Sequence, residues 1–339
     1  VTALSSIVGH HSLTGLLSRA IARETLPPTL MFAGPGGVGK FAVARAVAAV
    51  LNCSSPRRDR EGLAVDACGV CRACDRIARG LHVDVLALEP DERASIKIDA
   101  VRDVLQRTGF RPFEGRRRVV VLRDADALEI AAQNALLKSL EEPPPATVFV
   151  LTTAIPSALL PTVQSRCMRL RFGRLTAREV AEVLVRDHDM PERDAKAAAA
   201  LADGRVGVAL ALASADVAVL RDAALLLLRQ AASSSVVAGR LQAAAVLHTG
   251  TSRKERSRED VALILRTLAS MLRDLDLIGS GGEASLLANP IVADELESLV
   301  RGYPGDRARA AFAAVDRAIA ALERNAGTKL VSEWLAVQL

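Results

Sequence analysis

Four of the five cysteines in this 339-residue chain lie close together. Cys53 is followed after fourteen residues by Cys68, Cys71 and Cys74, the last three separated by two residues each. Thiolates at that spacing in a tight turn can share one ion, and four of them complete a tetrahedral structural zinc site with no open position for catalysis. A disulfide framework is disfavoured in a reducing compartment. An iron–sulfur cluster suits the three-cysteine run but usually carries a proline after a cysteine. Zinc on Cys53, Cys68, Cys71 and Cys74 is the expected cofactor, with a module of about residues 53–80 around it. Cys167 reads as a small buried apolar residue.

A second chemistry is written in GPGGVGKF at 34–41. The phosphate-loop pattern G-x-x-x-x-G-K-[ST] needs a hydroxyl after the lysine to hold Mg²⁺, and Phe41 stands in that place. Gly34, Gly36, Gly37, Gly39 and Lys40 could still cradle phosphates at a helix N-terminus, so residual nucleotide binding is possible. The competing reading is a fold relic whose glycines serve only a tight turn. A phosphate-loop enzyme also needs a strand ending in an acid for the metal. The segment that offers one is VVVLRDADAL at 119–128.

These residues need elements to position them. TLMFAG at 29–34 reads as a buried strand, 39–51 as a helix, and VDVLALEP and RRVVVLRDAD as strands. ALEIAAQNALLKSLEE is a helix ended by Pro143, Pro144 and Pro145, and ATVFVLTT is a further strand. Strands alternating with helices predict a parallel sheet with ligands at the carboxyl ends of its strands. Beyond about Phe172 the pattern is helical only, in LTAREVAEVLVRDH, AKAAAALADG, DVAVLRDAALLLLRQ, VALILRTLASMLRDL and ARAAFAAVDRAIAALER. The fold class is therefore α/β followed by all-α, with a break expected near 214–217.

The net charge of +5 permits a nucleic-acid partner, and GRRR at 115–118 is a local cluster. With 38 arginines against 6 lysines in an alanine-rich chain, that cluster reads as a solvated basic surface. Aromatic residues make up 3% of the chain, too few for base stacking to be a main binding mode. No stretch approaches the ~18 uninterrupted apolar residues of a membrane span. The opening VTALSSIVGHH lacks a basic segment leading into an apolar one. No membrane partner and a cytoplasmic location are the expectations.

VVVLRDADAL running into NALLKSLEEPPP resembles the clamp-loader branch of the AAA+ ATPases, whose motor subunits read Asp-Glu where this chain has Arg123 and Asp124. An arginine cannot coordinate Mg²⁺, so the resemblance implies that two metal contacts, at Phe41 and Arg123, are missing. LTTAIPSALLPTVQSRC at 151–167 resembles the family's sensor-one strand leading to its Ser-Arg-Cys motif, carried by Ser165, Arg166 and Cys167. ADGRVGVALAL resembles a lid motif whose motor versions carry a nucleotide-sensing arginine. The matching position is Gly207, and Arg205 could compensate, although on a helix each residue of displacement turns a side chain by ~100°. NAGTKLVSEWLAVQL resembles the family's collar helix.

The cysteine module, the degenerate loop and the retained Ser-Arg-Cys arginine together resemble the delta-prime type of bacterial DNA polymerase III loader subunit. That resemblance implies an AAA+ core at 1–172 with an inserted zinc module, a helical lid at 173–213 and a C-terminal helical collar at 214–339. It implies a stator without ATPase of its own, which lends Arg166 to a neighbour's ATP. Its partners would be gamma/tau motor subunits, a delta subunit, the sliding clamp and primed DNA. Two rival readings are a competent gamma/tau-like motor and a zinc-containing DNA-binding protein.

Overall fold

The structure is a computed structural model. It describes residues 3–91, 94–214, 217–233, 237–249, 256–283, 286–324 and 326–339. The chain divides into two compact units, one formed by Val1–Asp189 with Gly204–Gly207 and the other by Met190–Asp203 with Val208–Leu339.

The first unit is built on five strands: β1 (Thr29–Ala33), β4 (Val85–Leu88), β5 (Arg118–Leu122), β6 (Thr147–Thr153) and β7 (Met168–Arg171). They pair in the order β4-β5-β6-β1-β7, and every pair is parallel. Near-continuous burial along β1, β5 and β6 is what a sheet covered on both faces requires. Alternate residues sort to its two faces. Met31, Val120, Leu122, Phe149 and Leu151 enter one core with Val101 of helix α4 (Ile98–Thr108) and Leu136 and Leu140 of helix α5 (Ile130–Glu141). Helix α2 (Lys40–Asn52), buried along most of its length, packs on β5 and β6. The chain leaves β1 toward β4 and returns through β5 and β6 before stepping over β1 to β7. The direction of winding therefore reverses between β1 and β6, the place where such sheets hold ligands.

Helix α1 (His11–Ala22) precedes the sheet. Between α2 and β4 lies the cysteine insert, an antiparallel pair β2 (Arg57–Arg58) and β3 (Ala64–Asp66) followed by helix α3 (Arg72–Ala78). The short helix α6 (Pro161–Gln164) leads into Ser165–Cys167, and helix α7 (Ala177–His188) follows β7. Thr176 starts α7 with a reciprocal cap, its hydroxyl accepting from the Glu179 amide while the Glu179 carboxylate accepts from the Thr176 amide. The parallel sheet with covering helices is the α/β layer expected from the sequence.

The second unit is helical throughout its described residues: α8 (Glu192–Leu201), α9 (Val206–Ser214, whose first two residues belong to the first unit), α10 (Val217–Ser233), α11 (Val237–His248), α12 (Arg258–Gly279), α13 (Ala293–Leu299), α14 (Arg307–Glu323) and α15 (Thr328–Gln338). Helix α12 is its axis, with Leu265, Leu268 and Met271 fully buried and α10 and α14 packed against it. The segment expected at 214–217 as a boundary includes 215 and 216, which lie outside the described residues. Among the described residues no single helix is long and apolar enough to cross a membrane.

Candidate functional site

The loop 34–39 joins the end of β1 to the start of α2, as its spacing predicted, with Gly37 (φ 79°) and Gly39 (φ 98°) in the left-handed region that favours glycine. Gly34 is fixed by packing. A Cβ there would lie 2.2 Å from the Phe172 carbonyl oxygen, and its amide donates to the Thr153 carbonyl at 3.1 Å. Lys40 is buried, and its ammonium donates to the carbonyls of Gly34 (2.5 Å) and Pro35 (2.7 Å). Arg205 donates through Nε to the Gly36 carbonyl at 2.7 Å, and the Gly207 amide donates to the Gly37 carbonyl at 3.0 Å. Arg205 thus reaches the loop after all. It precedes the first residue of α9, so the rotation of a helix does not carry it away. Three carbonyl-bound cationic or amide donors hold this loop from within the chain. A phosphate would compete with bonds to charged donors, each worth about 1.5–3 kcal/mol.

Phe41 and Arg123, read separately as two lost metal contacts, touch each other. The Arg123 guanidinium carbon lies 5.2 Å from the centre of the Phe41 ring, and that of Arg45 lies 5.9 Å from it. Arg123 also pairs with Glu89 (3.2 Å) and with Asp124 (3.7 Å). A guanidinium on an aromatic face therefore stands among the carboxylates at the end of β5. Burial raises the pKa of Asp124, against the opposing pull of Arg123. Asp126 accepts from the Thr153 hydroxyl (2.6 Å) and the Ala154 amide (2.9 Å), which ties the end of β5 to that of β6.

The four cysteines converge. Their sulfurs all lie within 4.8 Å of one another, with Cys53–Cys74 at 3.7 Å, Cys53–Cys71 at 3.9 Å and Cys68–Cys74 at 4.0 Å. Tetrahedral zinc with Zn–S bonds of about 2.3 Å sets its sulfurs about 3.8 Å apart, so the cluster fits such an ion. Amides of Cys68 and Cys71 donate to the sulfurs of Cys53 and Cys68, both at 3.3 Å, as thiolates require. Cys71 caps α3. Although burial raises its pKa, hydrogen bonds from Ser54 and the Cys74 amide outweigh that and bring it down to about 5. Burial pushes the Cys74 thiol well up. The insert leans on the first unit through Asp66, whose carboxylate accepts the amides of Leu4 (2.7 Å), Ser5 (2.9 Å) and Ala67 (2.8 Å). Cys167 stays apart from the cluster and is buried, with its pKa raised to about 11 by desolvation.

Arg166 follows α6, close to the C-terminal end of α5. Its Nε and Nη2 donate to the same oxygen of Glu141, at 3.0 and 2.7 Å, and its Nη1 donates to the Thr162 carbonyl at 3.1 Å. Its own carbonyl accepts from the Thr29 hydroxyl at 2.6 Å. The side chain remains partly exposed.

The basic cluster 115–118 is not uniformly a solvated surface. Arg118 is buried and pairs with the fully buried Asp84 at 2.8 Å. It also donates to the carbonyls of Arg107, Phe110 (2.7 Å) and Arg111 (3.1 Å). Asp84 in turn accepts the amides of Phe113, Glu114 and Gly115, each at 2.8 Å. Burial opposes its ionisation, but these amides and Arg118 prevail and hold its pKa at about 2. The loop they brace presents Phe110 and Phe113 to solvent, 76% and 86% exposed. The sequence reading passed over both. Two phenylalanines three apart between arginines, in a chain with few aromatics, were the available signal.

Residues 9–176 match the family described as DNA polymerase III, delta subunit. A DNA polymerase III subunit delta' of Pseudomonas aeruginosa is 45% identical over 137 residues, covering 40% of each chain. A DNA polymerase III subunit tau of Bacillus subtilis is 33% identical over 174 residues, covering 51% of this chain and 30% of that protein. The matches thus span only about a third of the length of these relatives, 40% and 30% respectively. Among solved structures, a gamma subunit-related protein of Thermotoga maritima aligns at 18% identity with a TM-score of 0.41, covering 96% of this chain and 98% of that one. The RuvB Holliday junction branch migration motor of the same organism aligns at 18% identity with a TM-score of 0.43, covering 87% and 90%. The phosphate loop, the cysteine insert and the Ser165–Cys167 turn all fall inside residues 9–176, and it is through this segment that the chain belongs to the family described as DNA polymerase III, delta subunit, with a delta' subunit among its relatives.

Proposed function

We propose that the chain is a non-motor, delta-prime-type subunit of a clamp loader, one that hydrolyses no ATP itself and lends Arg166 to the ATP of a neighbouring subunit. The observation that carries this reading is the contact between Phe41 and Arg123. A phenyl ring and a guanidinium hold each other where a motor would place a hydroxyl and a carboxylate around Mg²⁺, and neither can ligate a hard cation. The inward bonds of Lys40 and the seating of Arg205 on Gly36 support weak nucleotide binding. An arginine supplied in trans stabilises the charge of a transferring phosphoryl group, worth roughly 10³ to 10⁵ in rate where it is the decisive group. The partners in this reading are gamma/tau motors, a delta subunit, the sliding clamp and primed DNA, in the cytoplasm. The exposed pair Phe110 and Phe113, braced by a buried ion pair, suits a macromolecular contact better than solvent.

In the same reading 1–172 is the AAA+ core, 173–213 the lid and 214–339 the collar, and the cysteine cluster holds one structural zinc. When bound, the ion would cross-link the end of α2 to β3 and α3. The gamma/tau-like motor is favoured by the tau relatives and by the retained Lys40 and Asp124, and opposed by Phe41 and Arg123. A zinc-containing DNA-binding protein is opposed by the burial of Cys53 and Cys74 and by the tie from Asp66 to Leu4 and Ser5. The test is steady-state ATP turnover by the purified chain with Mg²⁺. Turnover at background is expected, and turnover comparable to a tau-type subunit measured alongside would overturn the proposal.

A further inference from the structure

The contacts of Arg166 assign a role to Glu141, a residue inside the NALLKSLEEPPP segment to which no role has been given. A guanidinium has five N–H donors. Two of them, on Nε and Nη2, go to one oxygen of Glu141, and one on Nη1 goes to the Thr162 carbonyl. Glu141 therefore grips the side edge of the guanidinium. Two donors are left over, one on each terminal nitrogen, and a pair of terminal nitrogens can bond two oxygens of a phosphate. The backbone of Arg166 is held independently by Thr29 of β1. Glu141 is the last residue of α5, in front of the prolines that end it, so the guanidinium also sits at the negative pole of that helix.

The geometry points to Glu141 as a positioning residue for the in-trans arginine, holding its guanidinium in one orientation for the nucleotide of a neighbouring subunit before and during engagement. This rests on the reading of Arg166 proposed above. The mechanism is entropic: an arginine free to sample its rotamers must be ordered when the neighbour binds, whereas one gripped from the side has already been ordered. Glu141 touches no substrate in this account, and it acts only through Arg166. Its carboxylate also balances the charge of an arginine waiting without its phosphate.

The experiment is DNA- and clamp-stimulated ATPase of the reconstituted loader carrying the full-length chain, with assembly followed by gel filtration. Four variants are compared: Arg166→Ala, Glu141→Ala, Glu141→Gln and the Glu141→Ala/Arg166→Ala pair. The exposed ion pair sets the expected scale. Glu141→Ala should lower maximal turnover by about two- to fivefold with unchanged assembly and half-saturating ATP. Glu141→Gln should recover most of it, because the amide oxygen still accepts both bonds. The double variant should behave like Arg166→Ala alone. If Arg166→Ala lowers turnover while Glu141→Ala does not, or if Glu141→Ala costs the same with Arg166 already gone, the positioning role is overturned and the in-trans arginine survives. A rise in turnover with Glu141→Ala would show that Glu141 restrains the arginine, which also overturns it. No effect of Arg166→Ala would overturn the underlying reading and this inference with it.

Discussion

Replacing Phe41 by threonine restores the missing hydroxyl of the phosphate loop, and the simplest expectation would be a recovered motor. The structure argues otherwise. The Phe41 ring carries Arg123 at 5.2 Å and is itself half-buried. Phe41→Thr should forfeit a cation–π contact of about 0.5–1 kcal/mol at this partial exposure, and with the apolar contacts of the ring about 1.5–3 kcal/mol in all. Arg123→Asp forfeits the same contact and two exposed ion pairs worth about 0–1 kcal/mol each, and it sets a third carboxylate beside Glu89 and Asp124. A total near 2 kcal/mol follows. The shared contact can be lost only once, so the double variant should cost about 0.5–1 kcal/mol less than the two singles summed. The assay is the urea midpoint by circular dichroism for the four proteins, with and without Mg²⁺ and ATP. Only Phe41→Thr/Arg123→Asp should gain stability from Mg²⁺ with nucleotide, because only it has both the hydroxyl at 41 and an acid at 123 in place of the guanidinium. Additivity within about 0.3 kcal/mol, or Mg²⁺-dependent turnover by Phe41→Thr alone, would refute the pairing.

One zinc per chain is expected from metal analysis, and its removal by a chelator should raise hydrogen exchange across 53–78 while the parallel sheet keeps its protection. Iron with sulfide, or no metal in protein purified without oxygen, would contradict this. Asp84 supplies an acid-labile brace. Its folded-state pKa of about 2 lies below the unfolded value of 3.8, so the stability it adds is complete above about pH 4 and fades as the pH falls toward 2. The size is about 2 kcal/mol, and Asp84→Ala, which strands the buried Arg118, should cost about 3–5 kcal/mol at neutral pH. An acid-unfolding profile that Asp84→Ala leaves unshifted would remove the ion pair from the account.

Local chemistry was legible in the sequence where it is local in the chain. The loop 34–41 is a strand–turn–helix with glycines at its positive-φ positions, and three of the four cysteines lie within seven residues, so spacing alone exposed both. Burial on both faces made the strands readable as apolar runs. What escaped were pairs joined only by the fold. Arg118 read as one more surface arginine because Asp84 lies in the turn before β4, 34 residues away. Arg205 meets Gly36 across 169 residues, and Phe41 and Arg123 looked like two separate losses until the sheet brought β1 and β5 to one end. Helix α11 (Val237–His248) was not singled out, for its alanine-rich sequence has little of the one-sided apolar pattern that marks a surface helix.

The central claim is that a chain without an ATPase site of its own contributes Arg166 to another subunit's. The most direct measurement is clamp loading onto primed DNA by a loader reconstituted with Arg166→Lys. Lysine keeps the charge and can still meet Glu141, but it lacks the planar fork that bonds two phosphate oxygens together. A partly exposed cation adds little to stability, so the complex should assemble as before. Loading should nevertheless fall well below the unmodified complex and close to that of Arg166→Ala. Loading by the Arg166→Lys and Arg166→Ala complexes at the unmodified rate, with assembly intact, would reduce Arg166 to a surface charge and contradict the account.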